Sequence, residues 1–344
     1  MAPWIELPYE IHEVTPEEDK IIKKCLIGYT KPFVKCGKAG YVMPGAFRKQ
    51  AESIYNFQVR PDDIWVITYP RSGTTWTQEM VWLLENGLDF ETSKRIPLYD
   101  RFPMLELTLH IPEVAFELIK INFMNLANFQ GLNKAVKCPS WKVIDKAPSP
   151  RFIKTHLPLS LLPPNLLNTA KVIYVARDPR DVMVSYYYLH KMVAKGLMRG
   201  SFMQFWEAYR RDLLPWMPVI SHANEAWEQR HHPNLHFMFY EDMLKDLPNN
   251  IRGMSEFLQR DISEEQVNKL ADHLNFKNLK KNKNVNNSTG DNDIQFLRKG
   301  EAGGWRSHFD AKMEIQAEEY LNTKLQGLTL KYPTFDTDDE CSRL

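Results

Sequence analysis

The stretch from Asp63 to Glu85 constrains this chain more than any other. Asp63-Ile64-Trp65-Val66-Ile67-Thr68-Tyr69 is a run of β-branched and aromatic residues, the composition of a buried strand. Pro70-Arg71-Ser72-Gly73 interrupts it with a turn. From Thr74 onward Trp76, Met80, Leu83 and Leu84 recur at helical spacing, with Val81 beside them, which predicts a helix from Thr74 to Glu85. A strand, a tight turn and a helix in this order aim backbone N–H groups at the turn, where they can bind a phosphate.

Three further apolar runs read as strands: Arg151 to Thr155, Lys171 to Ala176 and Leu235 to Tyr240. Asp178 can cap a helix that begins at Pro179. Short apolar strands alternating with helices predict an α/β fold, a single three-layer domain with a central parallel sheet flanked by helices. Ligands of such sheets lie beyond the carboxyl ends of the strands. Arg71-Ser72, Lys154 with His156, and Arg177 all stand at that edge. Residues 1–60 read as a lead-in of short turns. Residues 101–150 fit no strand-helix pattern and read as a helical insertion plus an irregular loop over the site.

The formal balance of 44 basic and 43 acidic residues gives a net charge of +1, so an anion site must be local rather than a field of the whole molecule. No nucleic-acid partner is expected. Cys25, Cys36, Cys138 and Cys341 are scattered, with no CxxC pair and no zinc-ligand spacing, which reads as reduced thiols in a reducing compartment. Met1 to Glu6 has no basic stretch followed by an apolar run, and no window approaches a membrane span. The expectation is a cytoplasmic protein.

Tyr69-Pro70-Arg71-Ser72-Gly73-Thr74-Thr75-Trp76 is the most informative motif. It is not GxxxxGK[ST], because the lysine before the hydroxyl pair is missing. A nucleotide kinase or NTPase, with Asp178 as a metal-binding acid, is the alternative of another class, and the missing lysine argues against it. A non-catalytic nucleotide-binding module is a further one.

Residues 68–76 resemble the TYPKSGTTW motif of the cytosolic sulfotransferase family, with Arg71 in place of lysine. Tyr174 to Tyr187 resembles the family's signature for the donor 3′-phosphate, and Arg298 to Trp305 its RKGxxGxW motif. Lys154 to Pro158 and Phe239 to Asp242 match its KTHLP and FYED segments. The resemblance implies that the protein carries a sulfuryl group from 3′-phosphoadenosine-5′-phosphosulfate (PAPS) to a small-molecule hydroxyl, leaving adenosine 3′,5′-bisphosphate (PAP), without a metal. It implies His156, Arg71 and Lys154 as catalytic residues, His156 being the base. Donor contacts implied are Arg71, Ser72, Gly73, Thr74, Thr75, Trp76, Arg177, Ser185, Phe276, Arg298, Lys299 and Gly300. Trp76 and Phe276 would stack on adenine, and Trp216 falls near a tyrosine that approaches the donor. Taken alone, Arg298-Lys299 would be a solvated surface pair and each ring a core residue; the matching context changes that reading. Leu274 stands where the family has threonine. The family's dimer motif falls on Arg306 to Ile315 but is altered, so a monomer or another dimer is expected. Arg71 and the 101–150 insertion are similar to insect members, among them retinol dehydratase, whose net reaction is elimination of water.

Overall fold

The computed structural model describes residues 4–114, 138–193, 200–286, 297 and 299–334. A first, antiparallel sheet is formed by β1 (Ile11–Glu13), β2 (Val34–Cys36) and β3 (Tyr41–Met43). The central sheet holds β4 (Ile64–Thr68), β5 (Phe152–Thr155), β6 (Lys171–Ala176) and β7 (Leu235–Phe239), all parallel, in the order β5-β4-β6-β7. Chain order reverses around β4, and that reversal opens a crevice at the carboxyl ends.

Alternation along the strands builds the three layers. Trp65 and Ile67 of β4, with Val172 and Tyr174 of β6, face one core, whereas Ile64 and Val66, with Ile173 and Val175, face the other. Period-2 side-chain placement thus gives each face of the sheet its own apolar cover. The second core is closed by the helix Thr74–Glu85, which buries Met80, Val81, Leu83 and Leu84. The helix Pro179–Val193 starts where Asp178 Oδ1 accepts the Arg180 N–H at 2.8 Å.

The lead-in is more ordered than a series of turns. Its strands are three residues each, too short for alternation to show in sequence. The helix Pro16–Cys25 beside them is set by a reciprocal cap between Thr15 and Glu18. Pairing then continues across the chain: the Trp216 N–H donates to the Val42 carbonyl at 2.8 Å, and the Val42 N–H to that of Met217 at 2.9 Å. Of the insertion, residues 115–137 lie outside the described residues. Met104 forms a parallel bridge to Lys154, which extends the central sheet past β5, and Leu107–His110 is a 3₁₀ turn.

The amino ends of β4 and β5 are locked by a buried ion pair. Arg151 Nε and Nη2 donate to the two Asp63 carboxylate oxygens at 2.7 and 2.6 Å, both residues being no more than 3% exposed. Breaking such a pair from one side strands a buried charge. Arg151→Met is expected to cost about 3–5 kcal/mol in urea unfolding, and pairing it with Asp63→Leu is expected to return much of that stability.

Candidate active site

The turn after β4 carries backbone that few residues adopt. Gly73 has φ +103°, and a Cβ there would lie 2.8 Å from the Tyr240 ring. Arg71 has φ +72°, a left-handed conformation costly for a residue with a side chain. The Thr74–Glu85 helix has no side-chain cap, so its first N–H groups are left for whatever the turn binds. Ser72 and Thr74 are buried and Thr75 is half-buried in that turn.

Three of the residues singled out in sequence meet here. Arg71 Nε donates to Ser185 Oγ at 2.9 Å, and Arg177 Nη1 donates to the Arg71 carbonyl at 3.1 Å. Arg177 Nη2 reaches the Glu301 carbonyl at 2.9 Å, with the guanidinium 4.2 Å from the centre of the Tyr240 ring. Trp76 meets the same Tyr240 edge-on at 5.7 Å. Arg177 Nε and Trp76 Nε1 are buried donors with no partner among the described residues. Unsatisfied buried donors are costly in a native protein, and here both border the phosphate turn. These donors fit a polyanionic nucleotide.

The glycine-rich loop is drawn to the same place by Asp181, whose oxygens accept the Gly303 and Trp305 N–H groups at 2.7 and 2.9 Å. Gly300, at φ +69°, lies against Phe276; a Cβ there would come within 2.3 Å of the ring. Lys299 is 47% exposed in its side chain and paired with Glu301 at 2.9 Å, so it stands at the rim. Arg298 lies outside the described residues. Leu274 is buried in the second core. Glu241 Oε1 accepts the Asp178 N–H at 2.9 Å while Oε2 is buried without a partner among the described residues. Its carboxyl is pushed up to about 8, chiefly by burial and further by the neighbouring Asp178 carboxylate.

His156 follows β5 and is 5% exposed. Its Nδ1 lies 2.7 Å from the Thr68 carbonyl, which only an N–H can satisfy, so Nδ1 carries the proton and Nε2 keeps a lone pair. Thr68 Oγ1 joins that edge, 3.2 Å from Nδ1 and 2.7 Å from Thr74 Oγ1. The main chain at His156 is held on both sides: its N–H donates to Glu106 Oε1 at 2.7 Å, and its carbonyl accepts His222 Nε2–H at 2.9 Å. His222 Nδ1 in turn accepts the Tyr174 hydroxyl at 2.8 Å. Burial first, then the charge of Lys154 and the ring of His110, hold the His156 pKa well below its ordinary 6.5. The imidazole is therefore neutral, and a proton acceptor, at neutral pH.

Sequence reasoning missed Glu106 and His110, both in the segment that showed no periodicity. Glu106 Oε2 accepts the Thr155 hydroxyl at 2.7 Å while Oε1 holds His156. His110 stacks on Trp216 at 4.0 Å, with its ring 5.5 Å from that of His156. Trp216 itself sits at φ +67° and is buried. The bridge at Met104 and the Glu106 bonds to Thr155 and His156 bring this segment to the site, and no local pattern encodes them.

The sulfotransferase-domain family matches residues 61–329, most of the chain. This chain belongs to the sulfotransferase family. It is similar to human Sulfotransferase 1E1, with 33% identity over 302 residues, covering 86% of this chain and 94% of that one. To rat Sulfotransferase 1 family member D1 it is 34% identical over 291 residues, with 83% and 90% covered. Among solved structures, that of retinol dehydratase in complex with androsterone and inactive cofactor PAP superposes at a TM-score of 0.88 and 40% identity, over 96% of this chain and 100% of that one. The family match sets aside the kinase reading of Asp178, which here caps a helix and forms a forked pair with Arg180 at 2.6 Å. Among the described residues no helix is long and apolar enough to cross a membrane.

His156 and His222 are 5% and 0% exposed, and burial depresses both pKa values, that of His222 to about 4. The unfolded chain takes up protons on both below about 6.5 and the folded chain does not. The stability contributed by keeping these two rings neutral is therefore complete above that pH and declines as pH falls, by up to about 1.4 kcal/mol per unit for each ring. Between pH 7.5 and 5 the urea midpoint of the parent should fall relative to that of His222→Gln; a difference between the two that does not change with pH would contradict the neutral assignment.

Proposed function

We propose that this sulfotransferase-family enzyme transfers the sulfuryl group of PAPS to the hydroxyl of a small, largely apolar alcohol or phenol, with His156 as the general base. The observation that carries the reading is the fixed tautomer of His156: a neutral ring with bare Nε2, next to a phosphate turn ringed by cations. PAPS supplies an activated sulfuryl group on a phosphosulfate anhydride. The chain supplies position and charge, which do most of the catalysis in transfers of this type. His156 Nε2 removes the acceptor proton. Arg71 and Lys154 face the charge that develops as the group moves. The helix-start N–H groups of Gly73 to Trp76, with the Ser72, Thr74 and Thr75 hydroxyls, bind the 5′ end. Arg177, Ser185, Arg298 and Gly300 bind the 3′-phosphate, with Lys299 at the rim, and Trp76 and Phe276 hold adenine.

All 344 residues form one catalytic domain in this reading, with the 101–150 segment closing the acceptor side. Cys25 and Cys36 are buried free thiols, in keeping with a cytoplasmic location. At the altered dimer motif, Asp310 caps the helix Ala311–Leu325 and Ile315 is 60% exposed, so the reading calls for a monomer or a dimer built elsewhere. The likeness to retinol dehydratase favours a second outcome, in which the sulfate ester is an intermediate and water is lost overall. Mass analysis of products from a panel of alcohols and phenols separates a gained sulfo group from a lost water.

His156→Ala is expected to lower turnover by at least about 10²-fold, the scale of general-base catalysis, with PAP affinity little changed; near-normal turnover would remove His156 from the mechanism. If Arg177, Ser185 and Arg298 hold a 3′-phosphate, calorimetry should show PAP binding about a hundredfold or more tighter than 5′-AMP, from two to three charge-assisted contacts. Equal affinities would contradict the donor assignment.

A further inference from the structure

We propose that Lys154, and not Arg71, donates the proton that neutralises the leaving phosphate in the transfer, an assignment that rests on the sulfuryl-transfer reading above. The phosphate turn carries arginine, whose guanidinium does not deprotonate at accessible pH and so cannot act as an acid. Its Nε is also committed to Ser185 Oγ at 2.9 Å. A proton given to the departing phosphate therefore comes from another element of the site.

Lys154 is on β5 two residues before His156, so its side chain leaves the strand on the same side. It is half-buried, and its ammonium makes no hydrogen bond or ion pair among the described residues. A charge partly withdrawn from water and without an ion-pair partner is stabilised when an anion arrives beside it. Among the described residues, the carboxylate that acts on it, Glu106, is occupied by the Thr155 hydroxyl and the His156 N–H, at 2.7 Å each. Arg71 faces Lys154 from the phosphate turn, Glu106 from the extended edge beyond β5 and His156 from its own strand. Burial, and then Arg71, bring the Lys154 ammonium down to about 8, against the pull of Glu106. An acid that titrates near neutrality transfers a proton readily there.

The step balances. His156 Nε2 takes the proton of the acceptor hydroxyl, whose oxygen forms the new O–S bond. Lys154 Nζ gives its proton to the phosphate oxygen that keeps the electron pair of the breaking S–O bond. His156 then releases its proton to solvent and Lys154 regains one, so neither group is consumed.

Lys154→Arg keeps a cation at the position and removes the acid. Turnover with any acceptor the parent sulfates should fall at least about tenfold, the alkaline limb of the kcat profile should disappear, and PAP affinity should stay within about threefold, the reach of a retained charge. A variant as fast as the parent, or a slow one that keeps the limb, would overturn the assignment. Independently of the variant's folding, ¹³C NMR of the parent labelled at lysine Cε should show one lysine titrating near pH 8, moved upward when PAP is added. No lysine titrating below pH 9.5 (the ordinary value being about 10.4) would overturn it as well. A parent that sulfates nothing in the acceptor panel would instead defeat the underlying reading, so the two failures are distinguishable.

Discussion

The end of β4 organises this molecule. β4 is paired on both sides, by β5 and β6, and its backbone groups are consumed by those ladders until the strand stops at Thr68. There the Thr68 carbonyl accepts the Nδ1 proton of His156, which follows the end of the neighbouring strand. Three residues on, the same chain turns left-handed at Arg71, and again at Gly73, to start the helix Thr74–Glu85. One strand terminus thus sets both the tautomer of His156 and its place beside the turn at residues 70–73.

Charge around that point is arranged locally, as a net charge of +1 requires. Asp181 spends both oxygens on the Gly303 and Trp305 N–H groups, so it shapes the glycine-rich loop instead of neutralising Arg177, which lies 4.0 Å away at its closest. Asp178 is held by Arg180, and burial favours the uncharged form of Glu241. The carboxylates around Arg177 are each given a separate task, and Arg177 is left with a buried Nε that has no partner among the described residues.

Much of this was legible in sequence wherever one element carries its own pattern. The Thr74–Glu85 helix and the strand Lys171–Ala176 appear with the predicted bounds, because their burial has a clear period or an unbroken apolar run. The edge at which Arg71, His156 and Arg177 gather followed from the parallel topology alone. Glu106, His110 and His222 were not legible: each matters through a partner 46 to 66 residues or more away in the chain, such as His222 on the His156 carbonyl with a separation of 66. The Arg71–Ser185 bond was hidden for the same reason, since it joins two motifs read separately. Three-residue strands in the lead-in carried too little pattern to be seen.

The central claim is that His156 is a neutral base with its proton on Nδ1 and its lone pair on Nε2. Nitrogen-15 NMR of the histidine-labelled protein, assigned through His156→Gln, tests it most directly. At pH 7 the account predicts a protonated Nδ1 resonance and an unprotonated, pyridine-like Nε2 resonance for His156, persisting as pH is lowered past 6.5, where an ordinary imidazole is half-charged. A proton on Nε2, or an imidazolium at neutral pH, would contradict it.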